Sequence, residues 1–299
     1  MNRMKWLLAV LVVLGLALSV KATENGGGAY PNGAEGLMTG ALPPPGQYLV
    51  NYLLYYRADD LMDNNGDKLP IDFDATIFAE VARLINVSKV QVLGGLWAQQ
   101  IFIPVTSVDV TTPGGDDDVV GLGDLIVDPV IVAWHKPPFH WASGVDVYIP
   151  VGTYDKDDQA NVGRNYWTFE PVAAVTYLDQ KGLELSAKCM YDFNLENPDT
   201  DYESGQEFHV DFAAAWHVQN WAAGVGGFYY KQTTADNGTV MTPAGPADAG
   251  DNKGEQIALG PQVCYQYKAT SFILASDFEF ETKNKPEGER YWFKFVTGF

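Results

Sequence analysis

His209, Asp211 and His217 fall on one face of an alternating segment, and histidine beside aspartate is a pairing suited to acid–base or metal chemistry. Along an extended chain, side chains two positions apart lie about 7 Å apart, and the eight positions between His209 and His217 span about 27 Å. The two histidines therefore cannot hold one ion together from this strand. No nucleophile elbow accompanies them. The residues leave two readings: a His209–Asp211 hydrogen-bonded pair inside the fold, or a hydrolase of protease or phospholipase type using both. Neither reading calls for a cofactor or a metal.

A second constellation is larger. Asp72, Asp74, Glu80, Asp124, Asp128, Asp146, Glu170, Glu184, Asp192, Glu207, Asp211, Asp277, Glu279 and Glu281 recur opposite apolar neighbours. Arg83, Lys188, Lys294 and the histidines are the visible counterweights. In a closed tube with apolar faces outward, these acids line the interior together with Tyr148, Lys188, His209 and His217. One sign of charge in a narrow passage would enrich cations and exclude anions. The plainer reading is that such groups hydrate or cross-link a filled interior. Three further acidic runs, Asp63 to Asp67, Asp116 to Asp118 and Asp155 to Asp158, sit in polar connectors. They read as solvated loops; the first lacks the distal Glu of a calcium loop, with Asp74 at its twelfth position.

The elements that must carry these residues alternate with period 2 from residue 47 onward, in segments of 9 to 14 residues. Twelve segments are countable: 47–56, 71–81, 90–103, 125–133, 141–151, 166–177, 183–193, 207–219, 221–231, 256–267, 272–281 and 291–299. Short connectors (86–88, 136–140, 179–182, 219–220, 268–270) alternate with longer polar ones (59–70, 106–121, 152–165, 195–205, 232–254, 283–289), the rhythm of periplasmic turns and external loops. The apolar faces end in Tyr56, Phe73, Trp134, Trp141, Trp167, Tyr177, Trp216, Trp221, Tyr267 and Tyr291, where interfacial girdles belong. Phe272, Phe278, Phe280, Val210 and Phe212 are expected on the lipid face. An all-β transmembrane antiparallel barrel of about 12 strands follows, occupying residues 47–299. Cys189 falls in the lipid-facing register and Cys264 in the inward one, so no disulfide is expected between them.

Ahead of the barrel come two other segments. Arg3 and Lys5 precede an apolar stretch from Trp6 to Val20, and small residues Val20 and Ala22 follow, so residues 1–22 read as a secretory signal. Residues 23–46, with Gly26 to Gly28 and Pro43 to Pro45, are expected to form an irregular periplasmic leader that can fold into the lumen. The whole chain of 299 residues carries 38 acidic and 19 basic side chains, a net charge of −19. Loss of Arg3, Lys5 and Lys21 with the signal leaves −22. That charge excludes a nucleic-acid partner. Two cysteines exclude a disulfide scaffold.

Val87-Ser88-Lys89-Val90, Gly94-Gly95-Leu96-Trp97, Gly121-Leu122-Gly123-Asp124-Leu125, the run from Asp146 to Gly152 with Tyr154, and the leader stretch from Gly36 to Gly46 carry a resemblance. Nearly all of the mature chain resembles the outer-membrane channel family labelled as involved in the meta-pathway of phenol degradation. The resemblance implies a monomeric twelve-stranded barrel in the Gram-negative outer membrane, passing small hydrophobic or aromatic compounds inward without catalysis. The expected partners are outer-membrane lipid and lipopolysaccharide, a small-molecule permeant, and the assembly machinery that reads a terminal aromatic, here Phe299. A barrel hydrolase and a structural or adhesin-like closed barrel are the alternatives.

Overall fold

The computed structural model describes residues 23–242 and 245–299. The predicted signal, residues 1–22, lies outside the described residues. Fifteen strands are present among the described residues: β1 (Gly46–Leu61), β2 (Asp74–Val92), β3 (Gly95–Thr112), β4 (Gly115–Leu122), β5 (Leu125–Lys136), β6 (Phe139–Ile149), β7 (Thr168–Leu178), β8 (Leu183–Asn194), β9 (Glu207–Val218), β10 (Trp221–Gln232), β11 (Thr239–Thr242), β12 (Gly245–Asp248), β13 (Glu255–Tyr267), β14 (Thr270–Lys283) and β15 (Pro286–Gly298). Twelve of them form a closed antiparallel ring, each pairing with its neighbour, with β1 against β15 and β2 against β3 completing the circle. Closure matters because every backbone donor and acceptor in a bilayer needs a partner, and an open edge would leave a row of them bare. The three others stand outside the ring. Strand β4 pairs only with the upper part of β3, and β11 with β12 forms a hairpin in an external loop.

Alternation sets the faces. In β8 and β9 every second residue is buried and the intervening ones are exposed or half-buried, so one register faces the interior and the other the lipid. Tyr55, Phe78, Trp167, Phe169, Phe193, Phe280 and Tyr291 mark the rim below the long loops, while Trp141, Trp216, Trp221 and Tyr267 mark the opposite rim near the short turns. The rings pair across strands, as in stacked Trp134 and Trp141 at 6.1 Å and Trp221 with Tyr265 at 4.5 Å. Phe278 and Phe280 are exposed, and Phe272, Val210 and Phe212 are half-buried on the outward face. Cys189 is exposed outward and Cys264 half-buried; both are free thiols.

Several boundaries differ from the sequence reading. Residues 86–88 are not a turn. Strand β2 runs on through a bulge after Val87, where Ser88 Oγ accepts from the Val90 N–H at 3.0 Å, and the chain reverses at Leu93-Gly94, both in the left-handed region. Most of 106–121 is strand, because β3 continues to Thr112 and hairpins into β4. Strands β4 and β5 are one descending strand broken at Gly123-Asp124, where the Gly123 N–H donates to the Pro104 carbonyl at 2.9 Å. Between β14 and β15 the chain reverses tightly at Asn284-Lys285.

The larger correction concerns one wall. Tyr56 and Phe73 face the interior, not a girdle, and so do Ala75, Ile77, Ala79 and Val81. Asp72, Asp74 and Glu80 therefore point outward, opposite to their expected lumen position. Asp74 pairs with Arg57 at 3.5 Å, and exposed Glu80 accepts from Asn51 Nδ2 at 3.0 Å. The outward-apolar rule presumes a wet lumen. Here the lumen beside β1 to β3 is itself apolar, so both faces of β2 compete for the same signature. Glu281, with φ +53°, is also exposed, displaced by the bulge that shifts the β13–β14 register.

Candidate functional site

The leader, for which the sequence reading left the periplasmic end and the lumen both open, lies inside the barrel. It runs the length of the interior. At the loop end, Glu24 accepts hydrogen bonds from Asn197 Nδ2 at 2.8 Å and Thr200 Oγ1 at 2.7 Å. Midway, Asp211 accepts three: Tyr30 Oη at 2.5 Å, Gly33 N at 3.0 Å and Glu35 N at 2.9 Å. Gly33 holds φ +82° there, and a Cβ on it would meet Asp277 and Phe228, so only glycine lets the chain bend onto Asp211. Nearer the short turns, Met38 N donates to Glu184 at 2.5 Å and Gly40 N to Thr176 Oγ1 at 3.0 Å. A Cβ on Gly40 would lie 2.5 Å from the Thr176 backbone nitrogen.

Two unlike half-walls enclose the leader. From β6 to β10 and β13 to β15 many inward side chains are polar or charged, including Glu170, Glu184, Lys188, Asp192, Glu207, His209, Asp277, Glu279 and Lys294, all buried. From β1 to β3 they are mostly apolar. Between the leader and this apolar wall lies a cavity of about 580 Å³, lined by Leu54, Phe73, Ile77, Ala79, Val81, Phe102, Val108 and Ile126 among others. It reaches external residues Pro113, Gly114, Gln159 and Asn161 at one end, and Glu35, Tyr52, Asp146 and Lys188 at the other.

That inner end is a charged floor. Arg83 Nη1 contacts Glu35 Oε1 and Tyr52 Oη, both at 2.8 Å, while its Nε donates to Gln100 Oε1 at 2.8 Å. Gln100 passes the connection to Asp146 at 3.3 Å, and Lys188 stands 3.8 Å from the same carboxylate. Burial opposes ionisation of Glu35, but Arg83, Lys188 and Lys294 outweigh it and hold its carboxyl below the usual range. Leader Leu42 packs against the apolar cluster that includes Val50, Ile85, Val87, Ala98, Ile131 and Ala133. The cavity thus reaches the loop side, and its lining ends inward at the Arg83–Glu35 floor.

Of the residues singled out in the sequence, Asp128, Asp146, Tyr148, Glu170, Lys188, His209, Asp211 and Glu279 are buried inside the barrel. His217 is half-buried, with Nε2 at 2.6 Å from Glu184. His209 and Asp211 are not a hydrogen-bonded pair: His209 contacts leader Asn32 at 2.6 Å and Asp192 at 3.0 Å, leaving Asp211 to the leader backbone. Arg83, Asp146 and Lys188 were placed inward, but Glu35, Tyr52 and Gln100, which join them in the floor, were missed. A signal was available, because Arg83 shares its register with Ile77, Ala79 and Val81, and an arginine on a lipid face at mid-strand is costly.

The external acids stitch loops. Asp63 Oδ1 accepts from the Asn65 and Asp67 amides at 2.7 and 2.9 Å, and Asp117 Oδ2 from Gln159 and Ala160 at 2.8 and 2.9 Å. Asp124 takes Gly152 N at 2.9 Å and Arg164 N at 2.7 Å, tying the loop after β6 to the β4–β5 break.

A family model described as "Putative MetA-pathway of phenol degradation" matches residues 58–295. The chain belongs to this family. No curated protein matches the sequence. Among solved structures, an outer membrane channel from Pseudomonas putida F1 is similar with a TM-score of 0.74 at 18% identity, covering 87% of this chain and 97% of the other. The β domain of the Bordetella autotransporter BrkA gives 0.50 at 12% identity, covering 85% and 100%. A deletion mutant of the monoaromatic hydrocarbon channel TodX also gives 0.50, at 8% identity, covering 86% and 91%. With its closed ring and its apolar, aromatic-rimmed outer surface, this family member is an outer-membrane barrel.

Proposed function

We propose that the protein is a passive outer-membrane channel for small hydrophobic or aromatic compounds. The apolar cavity between leader and wall carries this reading. An apolar cavity of about 150 Å³ suffices for benzene, and about 580 Å³ between Phe73, Phe102, Ile77 and Val108 accommodates larger monoaromatic rings. The polar lining, Tyr148, Asp146 and Lys188 at the inner end, offers hydrogen bonds to one polar substituent. Membership in a phenol-degradation family and likeness of fold to a channel for monoaromatic hydrocarbons support the same substrate class.

The inner seal has to open for passage, and the leader is the piece that can move, since the wall strands are locked by their ladders. The buried carboxylates fasten it. Acid at the interior is thereby spent on hydrogen bonds and ion pairs rather than on a cation-attracting field, and the cavity lining is mixed, with Glu35, Asp124 and Asp146 facing Arg164, Lys188, Lys285 and Arg290. Catalysis has no place in this reading: His209 is fully buried between Asn32 and Asp192. The barrel acts as a monomer, seated in lipid and lipopolysaccharide and inserted by the assembly machinery through β15, whose outward face carries Tyr291, Phe293 and Phe295.

The test is uptake of a radiolabelled monoaromatic hydrocarbon by Gram-negative cells with intact lipopolysaccharide, expressing the protein or an empty vector. Faster uptake with the protein, and none of that gain for a sugar of similar size, is the expected result; equal rates would refute the channel. Hydrolysis of lipid or peptide lost in His209→Ala would favour the hydrolase instead.

A further inference from the structure

Asp192, Glu207 and His209 converge inside the barrel wall in a way that hydrogen bonding alone leaves unbalanced. Register brings them together: Asp192 lies directly opposite Glu207 across β8 and β9, and His209 follows two residues on along the same face. One donor atom from each lies within 4.8 Å of the other two, and all three residues are fully buried. His209 Nε2 is 3.0 Å from Asp192 Oδ2 and 4.0 Å from Glu207 Oε2. Two metal bonds of about 2.1 Å place their donor atoms roughly 3 to 4 Å apart, depending on the angle between them.

Two of the three donors are oriented from behind. Asn32 Oδ1, from the leader, faces His209 Nδ1 at 2.6 Å; an amide oxygen only accepts, so Nδ1 carries the hydrogen, and in the neutral ring Nε2 then turns a lone pair toward the carboxylates. Tyr230 Oη donates to Glu207 Oε1 at 2.6 Å, and Tyr148 Oη to Glu170 Oε2 at 3.1 Å. This is the outer shell that fixes tautomer and ligand angle around a metal. The oxygens left over, Glu207 Oε2, Asp192 Oδ1 and Glu170 Oε1, are buried and have no donor group of their own; the Asp192 carboxyl lies against those of Glu170 and Glu207. Among the described residues, no lysine or arginine forms an ion pair with any of these three acids; Lys188 stands by Asp146, and Lys285 over the Tyr230 ring. A lone pair and several carboxylate oxygens facing one another in a dry site require protons or a cation between them, and three converging donors suit a cation.

We propose that Asp192, Glu207 and His209, with Glu170 beside Asp192, form a buried site for one divalent transition-metal ion of the zinc type. One imidazole nitrogen with carboxylate oxygens suits zinc better than calcium or magnesium, which take oxygen alone. Through Asn32 the ion would also hold the middle of the leader against the wall.

The experiment uses the purified full barrel in detergent, stripped with a chelator, incubated with zinc chloride alone, desalted and assayed for metal. Wild type is expected to retain one zinc per chain, still in the presence of excess calcium. His209→Ala and the near-isosteric Glu207→Gln are expected to weaken binding at least about tenfold, with the heat-modifiable migration of a folded barrel unchanged. Cobalt in place of zinc should give weak visible bands without the strong sulfur-to-metal absorption, since no thiolate is a donor. If stripped wild type, folded by the same criterion, retains no zinc, shared protons hold the cluster and the proposal fails. Equal retention by wild type and both variants would place the metal elsewhere and overturn it as well.

Discussion

Asp211 receives three donors from the leader, from Tyr30, Gly33 and Glu35. Its replacement by Ala leaves all three buried without that acceptor, at a cost of roughly 1 to 3 kcal/mol for each unmade bond. Single-channel conductance of Asp211→Ala should exceed wild type severalfold, and an unchanged trace would mean that the leader is held elsewhere. Glu35 supplies a pH dependence. Its folded pKa is lowered, so the stability it contributes is complete above the ordinary carboxylate value of about 4.3 and is lost as pH falls through the lower folded value. Conductance should rise below about pH 4, and Glu35→Gln should show the open level already at neutral pH. Asp72, Asp74 and Glu80 make the opposite case. They face outward, so converting all three to amides should leave the reversal potential in a salt gradient where it is, measured in planar bilayers.

The elements were the most legible level. Period-2 segments with long and short connectors point to twelve strands because a barrel wall separates two environments residue by residue. Strands β7 to β9 read correctly on both faces, since Glu170, Lys188 and Asp211 alternate with Val175, Ala187 and Phe212. Strand β2 did not, because Ile77, Ala79 and Val81 line an apolar cavity and mimic a lipid face. Turn positions at Ser88 and Lys283 were misplaced where a bulge or a tight reversal keeps polar residues inside a ladder. The path of residues 23–45 was illegible, since a chain without period owes its place to acceptors far away in sequence. Gly40 tests that path. A valine there collides with the Thr176 backbone, so Gly40→Val should expel the lower leader, make it accessible to protease from the turn side, and raise conductance.

At the scale of the molecule, two half-walls of unlike chemistry divide the labour. The polar one anchors a plug; the apolar one, with the plug, forms a passage that opens outward and stops at Arg83. Asp192, Glu207 and His209 show why such a cluster could be missed at this scale: the sequence places Glu207, His209 and His217 on one strand, but Asp192 comes from the strand beside it. A hydrophobic solute crosses bare lipid unaided, so the decisive measurement has to be made where lipopolysaccharide is the barrier. Uptake of a labelled monoaromatic hydrocarbon should be compared in cells carrying wild type and Ala79→Trp, a substitution that fills the cavity beside Leu54 and Thr106 while leaving the outer face untouched. Wild type should accelerate uptake over the empty vector, and Ala79→Trp, equally abundant and folded in the outer membrane, should return it to the vector rate. Uptake that is as fast through Ala79→Trp as through wild type would contradict a route through the apolar cavity.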